Sequence, residues 1–142
     1  MQHPKDVGDR STLAISLALH ARGFVVLTPY GENTRYDLAI DDGSSLRRVQ
    51  CKTGRLRSGC VEFRTASSYA HHSNPASRAR SYAGEVDDFA VYCPQLGTVY
   101  LIPIEDVPTA RQALLRVDPT RNHQKQGVRL AASYEIARVE LS

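Results

Sequence analysis

Three side chains in the first half of the chain, Asp37, Gln50 and Lys52, have the types and spacing that could do hydrolytic chemistry together. Residues 36–41 and 46–53 read as two strands joined through Asp42, Gly43, Ser44 and Ser45, and Asp-Gly is a strong tight-turn signal, so the segment predicts a hairpin. An even loop centred between Gly43 and Ser44 pairs positions whose numbers sum to 87, which sets Asp37 opposite Gln50. Alternate residues share a face of a strand. Asp37, Ala39 and Asp41 therefore lie with Arg48, Gln50 and Lys52, while Leu38, Ile40, Val49 and Cys51 form the core side. Lys52 would sit roughly 7 Å along the strand from Gln50. A carboxylate, an amide carbonyl and an ammonium on one patch could hold Mg²⁺ through hard oxygen ligands, orient or deprotonate a water, and offset charge building on phosphorus, which is what phosphodiester hydrolysis requires. Apolar surroundings would lower the pKa of Lys52 and the carboxylate would raise it. Hairpin geometry alone, however, favours an ordinary polar strand face.

The elements that must position this patch follow from periodicity. Asp6 to Arg22 predicts an amphipathic helix whose core stripe is Leu13, Leu17 and Ala21, supported by Ala14 and Ala18, and Gly23 ends it. Phe24 to Thr28 suits a buried strand, and Pro29, Gly31 and Asn33 mark a loop. Cys60 to Thr65 predicts a fourth strand, and Ala66 to Ser81 a long loop in which His71 and His72 are exposed. Phe89 to Cys93 and Val99 to Ile104 predict another strand pair turning through residues 94–98. Asp106 to Val117 has helical character after Pro108, and Arg129 to Ala137 fits either helix or strand. The pattern is α/β with a mixed sheet.

A chain of 142 residues, 42% of them hydrophobic, suits a single domain spanning 1–142. It has no run long enough to cross a bilayer, and its N-terminus lacks the basic start and apolar stretch of a secretory signal, so a soluble cytoplasmic protein is expected. Cys51, Cys60 and Cys93 form neither a CxxC pair nor a zinc-spaced set and are expected to be buried thiols. The net charge is only +3, but between Ser44 and Gly84 lie Arg47, Arg48, Lys52, Arg55, Arg57, Arg64, Arg78 and Arg80 against the single acid Glu62. That stretch is either a polyanion surface or a solvated basic face, and arginine's dominance tilts it toward phosphate.

The phrase from Pro29 to Asp37, followed by Arg48, Val49, Gln50, Cys51, Lys52 and Thr53, resembles the PD-(D/E)XK nuclease superfamily. It looks most like the branch of group I intron homing endonucleases, in which glutamine holds the motif's acidic position. The likeness extends to Tyr82 through Asp87, to Phe89 through Pro94, and to Gly127, Val128 and Arg129. It implies a restriction-endonuclease-like core, a mixed central β-sheet flanked by helices. It also implies a metal-dependent DNA endonuclease with Asp37, Gln50, Lys52 and a helix-borne acid, matched by Asp9, as catalytic residues. Asp37, Gln50 and Asp9 would bind Mg²⁺, with Mn²⁺ expected to substitute. Tyr82, Glu85 and Asp87 would support the site, and Arg47, Arg48, Arg55, Arg57, Arg64, Arg78 and Arg80 would hold double-stranded or branched DNA. A homodimer or homotetramer would cut both strands, and no membrane partner is implied. Asp9 has a competing explanation, since Asp6 and Asp9 have capping-box spacing in a first helical turn. Glutamine in place of a carboxylate weakens metal binding, so either Asp9, Glu62 or DNA phosphate completes the site, or the protein binds DNA without cutting it. A Holliday junction resolvase-type nuclease and a catalytically degenerate DNA-binding module are the alternatives.

Overall fold

The computed structural model describes residues 3–31, 34–68, 79–81, 84–107, 111–118 and 128–139. Among the described residues, the α-helix α1 (Pro4–Ala21) is followed by strands β1 (Val25–Leu27), β2 (Leu38–Asp41), β3 (Leu46–Thr53), β4 (Arg55–Arg57), β5 (Cys60–Arg64), β6 (Ala66–Ser68), β7 (Ala79–Ser81), β8 (Asp88–Cys93), β9 (Thr98–Pro103), β10 (Gln112–Arg116) and β11 (Glu135–Arg138). Six strands form the main sheet in the order β1-β2-β3-β8-β9-β11. It is mixed, because β3 and β8 run parallel while the other neighbours are antiparallel. A second, antiparallel sheet has the order β10-β5-β4, and β6 pairs with β7 in a small ribbon. This is the expected α/β architecture, resembling the restriction-endonuclease-like fold. Among the described residues no helix is long and apolar enough to cross a membrane.

The hairpin forms in the predicted register, with Leu38 opposite Val49, Ala39 opposite Arg48 and Asp41 opposite Leu46. Its turn is built by Asp42, whose Oδ1 accepts the N–H groups of Ser44 and Ser45, both at 2.8 Å. Those two bonds favour the ionised carboxylate and hold its pKa down at about 2. Gly43, at φ +95°, supplies the left-handed residue that the turn requires. Leu38, Ile40 and Val49 are buried under α1 with Ala14, Ile15, Ala18 and Leu19, as the alternation predicts.

The helix itself is rotated from its predicted orientation. Leu13 and Leu17 are exposed, at 66% and 53%, and the buried stripe is Ser11, Ala14, Ile15, Ala18 and Leu19. Ala14 and Ala18 belong to both possible stripes, so the sequence signal was degenerate. Ile15 and Leu19 win, and this rotation lets the Ser11 hydroxyl bond Thr53 Oγ1 at 2.5 Å, tying the helix to the end of β3. The N-cap is His3, whose Nδ1 accepts from the Lys5 N–H at 3.2 Å, which places Asp6 inside the first turn rather than at the cap.

On the other side of the main sheet, Phe89, Val91, Tyr100 and Ile102 pack against Val61, Phe63, Ala113 and Leu115 of the second sheet. Ala113 and Leu115 belong to β10, in the segment expected to be helical. The reason lies in Gln112 to Arg116, where Ala113 and Leu115 are buried and Gln112 and Leu114 exposed, a period of two. The 129–137 segment resolves into a 3₁₀ turn, Ala131–Ser133, and then β11. Residues 66–81, expected as a loop, carry the ribbon strands at their two ends, and His71, His72 and Arg78 lie outside the described residues. All six residues of β8 are buried, the pattern of a strand covered on both faces. The cysteines are free thiols, with Cys60 and Cys93 buried and Cys51 half-buried.

The chain leaves the main sheet for the second one at Gly54, where a Cβ would stand 2.7 Å from Val61 Cγ1 and 2.8 Å from Val91 Cγ1. Both valines belong to the core between the sheets and have stiff side chains. Gly54→Ala should therefore lower stability by about 1–3 kcal/mol through overpacking. A urea denaturation midpoint equal to that of the wild type would show that this junction has slack.

Candidate active site

Asp37 lies one residue before β2, and its N–H donates to Val49 O at 2.9 Å, one residue off the register of the β2–β3 ladder, so the regular pairing ends at Leu38. Its carboxylate Oδ2 accepts the Cys51 N–H at 2.8 Å, which fixes the acid against the middle of β3. Gln50 and Lys52 follow on the face opposite Val49 and sit in register with Phe89 and Val91 of β8. That is the face covered by the second sheet, so Lys52 emerges at the margin of an apolar core.

This position governs the electrostatics. Burial is the largest influence on Lys52 and pushes its pKa down to about 8; Asp37 opposes the shift, and Arg64 and Arg35 reinforce it. For Asp37, although its side chain reaches solvent, the surrounding protein raises the pKa, opposed by the Cys51 N–H and by Lys52. The sequence anticipated this contest of burial against charge at Lys52. It missed Arg35, which lies two residues before Asp37, acts on Lys52, and forms an ion pair with Glu85 at 3.2 Å. Its only signal was membership of the phrase around Asp37.

Asp9 is exposed on α1, outside the buried stripe. Among the described residues no group of three or more His, Cys, Asp or Glu is gathered so as to hold a metal. Asp37 is thus the carboxylate that the fold brings to Lys52, and Gln50 the neutral oxygen donor beside it in sequence.

The arginines divide into two sets. Arg47 donates through Nε and Nη2 to the two oxygens of Asp88 at 2.6 and 2.9 Å, and Arg48 donates its backbone N–H and Nε to Asp87 Oδ2 at 2.7 and 3.2 Å. These pairs clamp β3 to the start of β8. Arg55, Arg57 and Arg64 instead lie exposed on the outer face of the second sheet, because Val61 and Phe63 take the inner face. Arg80 is placed by the backbone of β7 alone. Asp87 and Glu85 are accordingly engaged with arginines, and Tyr82 lies outside the described residues.

A mixed central sheet flanked by a helix is the architecture of the restriction-endonuclease-like class of folds. The PD-(D/E)XK endonuclease family matches residues 2–137, and the chain belongs to that family. In structure it is similar to a bacterial homing endonuclease, I-Ssp6803I, with a TM-score of 0.75 and 21% identity over 94% of this chain and 89% of the other. That likeness is one of fold. No curated protein matches the sequence.

Burial of Lys52 carries a cost that should be measurable. Its folded pKa, about 8, lies below the unfolded 10.5, so folding at neutral pH burdens the native state with a desolvated charge. Lys52→Met should stabilise the fold below pH 8, by at most about 3 kcal/mol. The gain should shrink as pH rises from about 8 toward 10.5, where the unfolded lysine also loses its proton. Denaturation midpoints at pH 7 and pH 10 test this, and a gain that grew with pH would reverse the assignment.

Proposed function

We propose that this chain is a metal-dependent DNA endonuclease that hydrolyses phosphodiester bonds at Asp37, Gln50 and Lys52. The observation that carries the reading is Lys52 beside Asp37 with its pKa lowered to about 8, because that lysine can exist as a neutral base near physiological pH. The donor set fits Mg²⁺. This ion keeps several waters and is commonly held by one or two carboxylates plus substrate phosphate, so the Asp37 carboxylate, with the Gln50 carbonyl, is a sufficient protein share. Asp9 would be a further ligand. Bound there, Mg²⁺ or Mn²⁺ would polarise the phosphoryl oxygens and acidify a water.

The chain's own residues do the rest. Cys51 N–H fixes the Asp37 carboxylate, so its direction does not depend on a rotamer search. Neutral Lys52 takes a proton from the attacking water as the new P–O bond forms and one ester P–O bond breaks. The departing alkoxide takes its proton from solvent. Arg55, Arg57 and Arg64 supply backbone contacts on the neighbouring outer face, without reading bases. A symmetric dimer or tetramer would bring one such site to each strand of a duplex or of a branched junction.

One observation favours a second reading, a DNA-binding module on the same fold that does not cut. The described residues bring no carboxylate cluster together, and Gln50 contributes no charge. Incubating wild type and Lys52→Ala with supercoiled plasmid, linear duplex and a four-way junction, in Mg²⁺, Mn²⁺ or EDTA, separates the two. The nuclease requires metal-dependent cleavage reduced about 10²–10⁴-fold in the variant, and preference for the junction would mark a resolvase-type enzyme. Salt-sensitive binding that ignores EDTA, with no cleavage of any substrate, would establish the module instead.

The pH profile provides an independent check. If neutral Lys52 is the reactive form, the cleavage rate should climb about tenfold per pH unit and level off no higher than about 8, because a bound cation would depress the lysine further. A profile flat from pH 6 to 9 would remove Lys52 from the proton transfer.

A further inference from the structure

Arg35 lies two residues before Asp37, on the approach to β2. Its side chain is only 17% exposed, and its Nε pairs with Glu85 Oε2 at 3.2 Å. Glu85 belongs to the segment that leads into β8, two residues before the Asp87 that holds Arg48, so the ion pair joins the loop ahead of Asp37 to the start of β8. Arg48, Gln50 and Lys52 share one face of β3. The charge of Glu85 acts on Arg48 and that of Arg35 on Lys52, which sets the pair beside this face.

A tie between two loops would account for the ion pair alone, but not for its surroundings. At the start of β8 charges are matched one to one, Arg47 with Asp88 and Arg48 with Asp87. Beside Lys52 they are not. Among the described residues whose charges act on this lysine are two arginines, Arg35 and Arg64, against the single carboxylate of Asp37. With Glu85 counted against Arg35, the three cations still exceed the two carboxylates by one charge. Like charges gathered at a partly buried point disfavour the fold, and an anion placed among them reverses that cost. A phosphodiester carries one negative charge. A guanidinium has five N–H donors, so pairing with Glu85 through Nε is compatible with a contact to phosphate oxygens.

We propose that Arg35, held by Glu85, binds the DNA phosphate that reaches Lys52 and Asp37, its guanidinium on a non-bridging oxygen. The proposal rests on the nucleic-acid reading above and adds to it a residue that touches the reacting group. As water attacks, negative charge builds on those oxygens, and a donor already in place stabilises it without reorganising. Glu85 is then a positioning residue. An arginine released from it would have Asp37, two residues on, as an alternative partner, and that carboxylate is the one required for the metal.

Affinity of the full chain for a duplex oligonucleotide in EDTA, measured against salt concentration, tests the contact without cleavage. Arg35→Gln should reduce the slope of log K on log salt by about 0.9, the share of one phosphate, and Arg35→Lys should keep the slope. If Arg35→Gln unfolds because Glu85 loses its partner, the double variant with Glu85→Gln, compared with Glu85→Gln alone, should show the same reduction. An unchanged slope in the folded variants is the result of a structural tie and overturns the proposal, whether or not DNA is cut. In Mg²⁺, single-turnover cleavage of plasmid should fall about 10²–10³-fold in Arg35→Gln. It should fall also in Arg35→Lys at unchanged affinity, because an ammonium lacks the fork, and in Glu85→Gln with the salt slope intact. Cleavage by Arg35→Gln at the wild-type rate would likewise overturn the proposal. A slope that depends on Arg35 in a wild type that cuts no substrate supports the phosphate contact and removes the nuclease reading alone.

Discussion

β3 is paired on both edges, antiparallel to β2 and parallel to β8, and covered on both faces, by α1 on one and the second sheet on the other. A parallel pair cannot be closed by a tight turn; it needs a long crossover. Here the crossover carries β4, β5, β6 and β7, so the chain that returns to β8 also builds most of the second sheet. Parallel register is set by side chains as well as by the ladder, and Arg47 on Asp88 and Arg48 on Asp87 lock it at the end where β8 begins. With β3 held there, Gln50 and Lys52 have one possible depth in the sheet, and Asp37 is brought to them by a hairpin whose turn Asp42 closes.

The same crossover decides the chemistry of Lys52. Had β3 been an edge strand with one solvated face, the lysine would keep its ordinary pKa beside a carboxylate. Covering the Val91 side with Val61 and Phe63 desolvates it, and Arg35 and Arg64 add like charge from opposite directions in the sequence. Burial and two arginines outweigh the single acid. Asp37 undergoes the opposite displacement, its pKa raised because the protein around it outweighs the Cys51 N–H and the lysine. A positive ligand between them would relieve the carboxylate and depress the lysine further, so the tension in the pair runs in the direction that suits a cation and a base.

Legibility of this arrangement from sequence tracked how local the determining interaction is. The hairpin register was readable because Asp42, Gly43 and the alternation of Leu38, Ile40 and Val49 specify it within sixteen residues, 38–53. The face of α1 was not, since Ala14 and Ala18 serve either stripe and the choice between Leu13 with Leu17 and Ile15 with Leu19 is made by the sheet beneath. β4 carries one apolar residue, Leu56, between two arginines and gives no period to detect. β10 reads as helix from sequence because Pro108 suggests a helix start, whereas its alternation follows Val61 and Phe63 on the paired strand β5, which face the same core. Of the site, the residues on the hairpin were legible, and Arg35 and Arg64 were not assignable to Lys52 because their proximity is purely tertiary.

The outer face of the second sheet then has a direction. Arg57 and Arg116 share a row at one end of β5, level with Cys60, and Arg64, whose charge acts on Lys52, stands at the other. Four residues of strand separate the rows, roughly 13 Å at the usual rise. Glu62, midway between the rows and opposite both Arg55 and Leu114, interrupts the basic character. The outer face is thus basic at its two ends and interrupted between them, an order set by strand register and not by the core that the inner face covers.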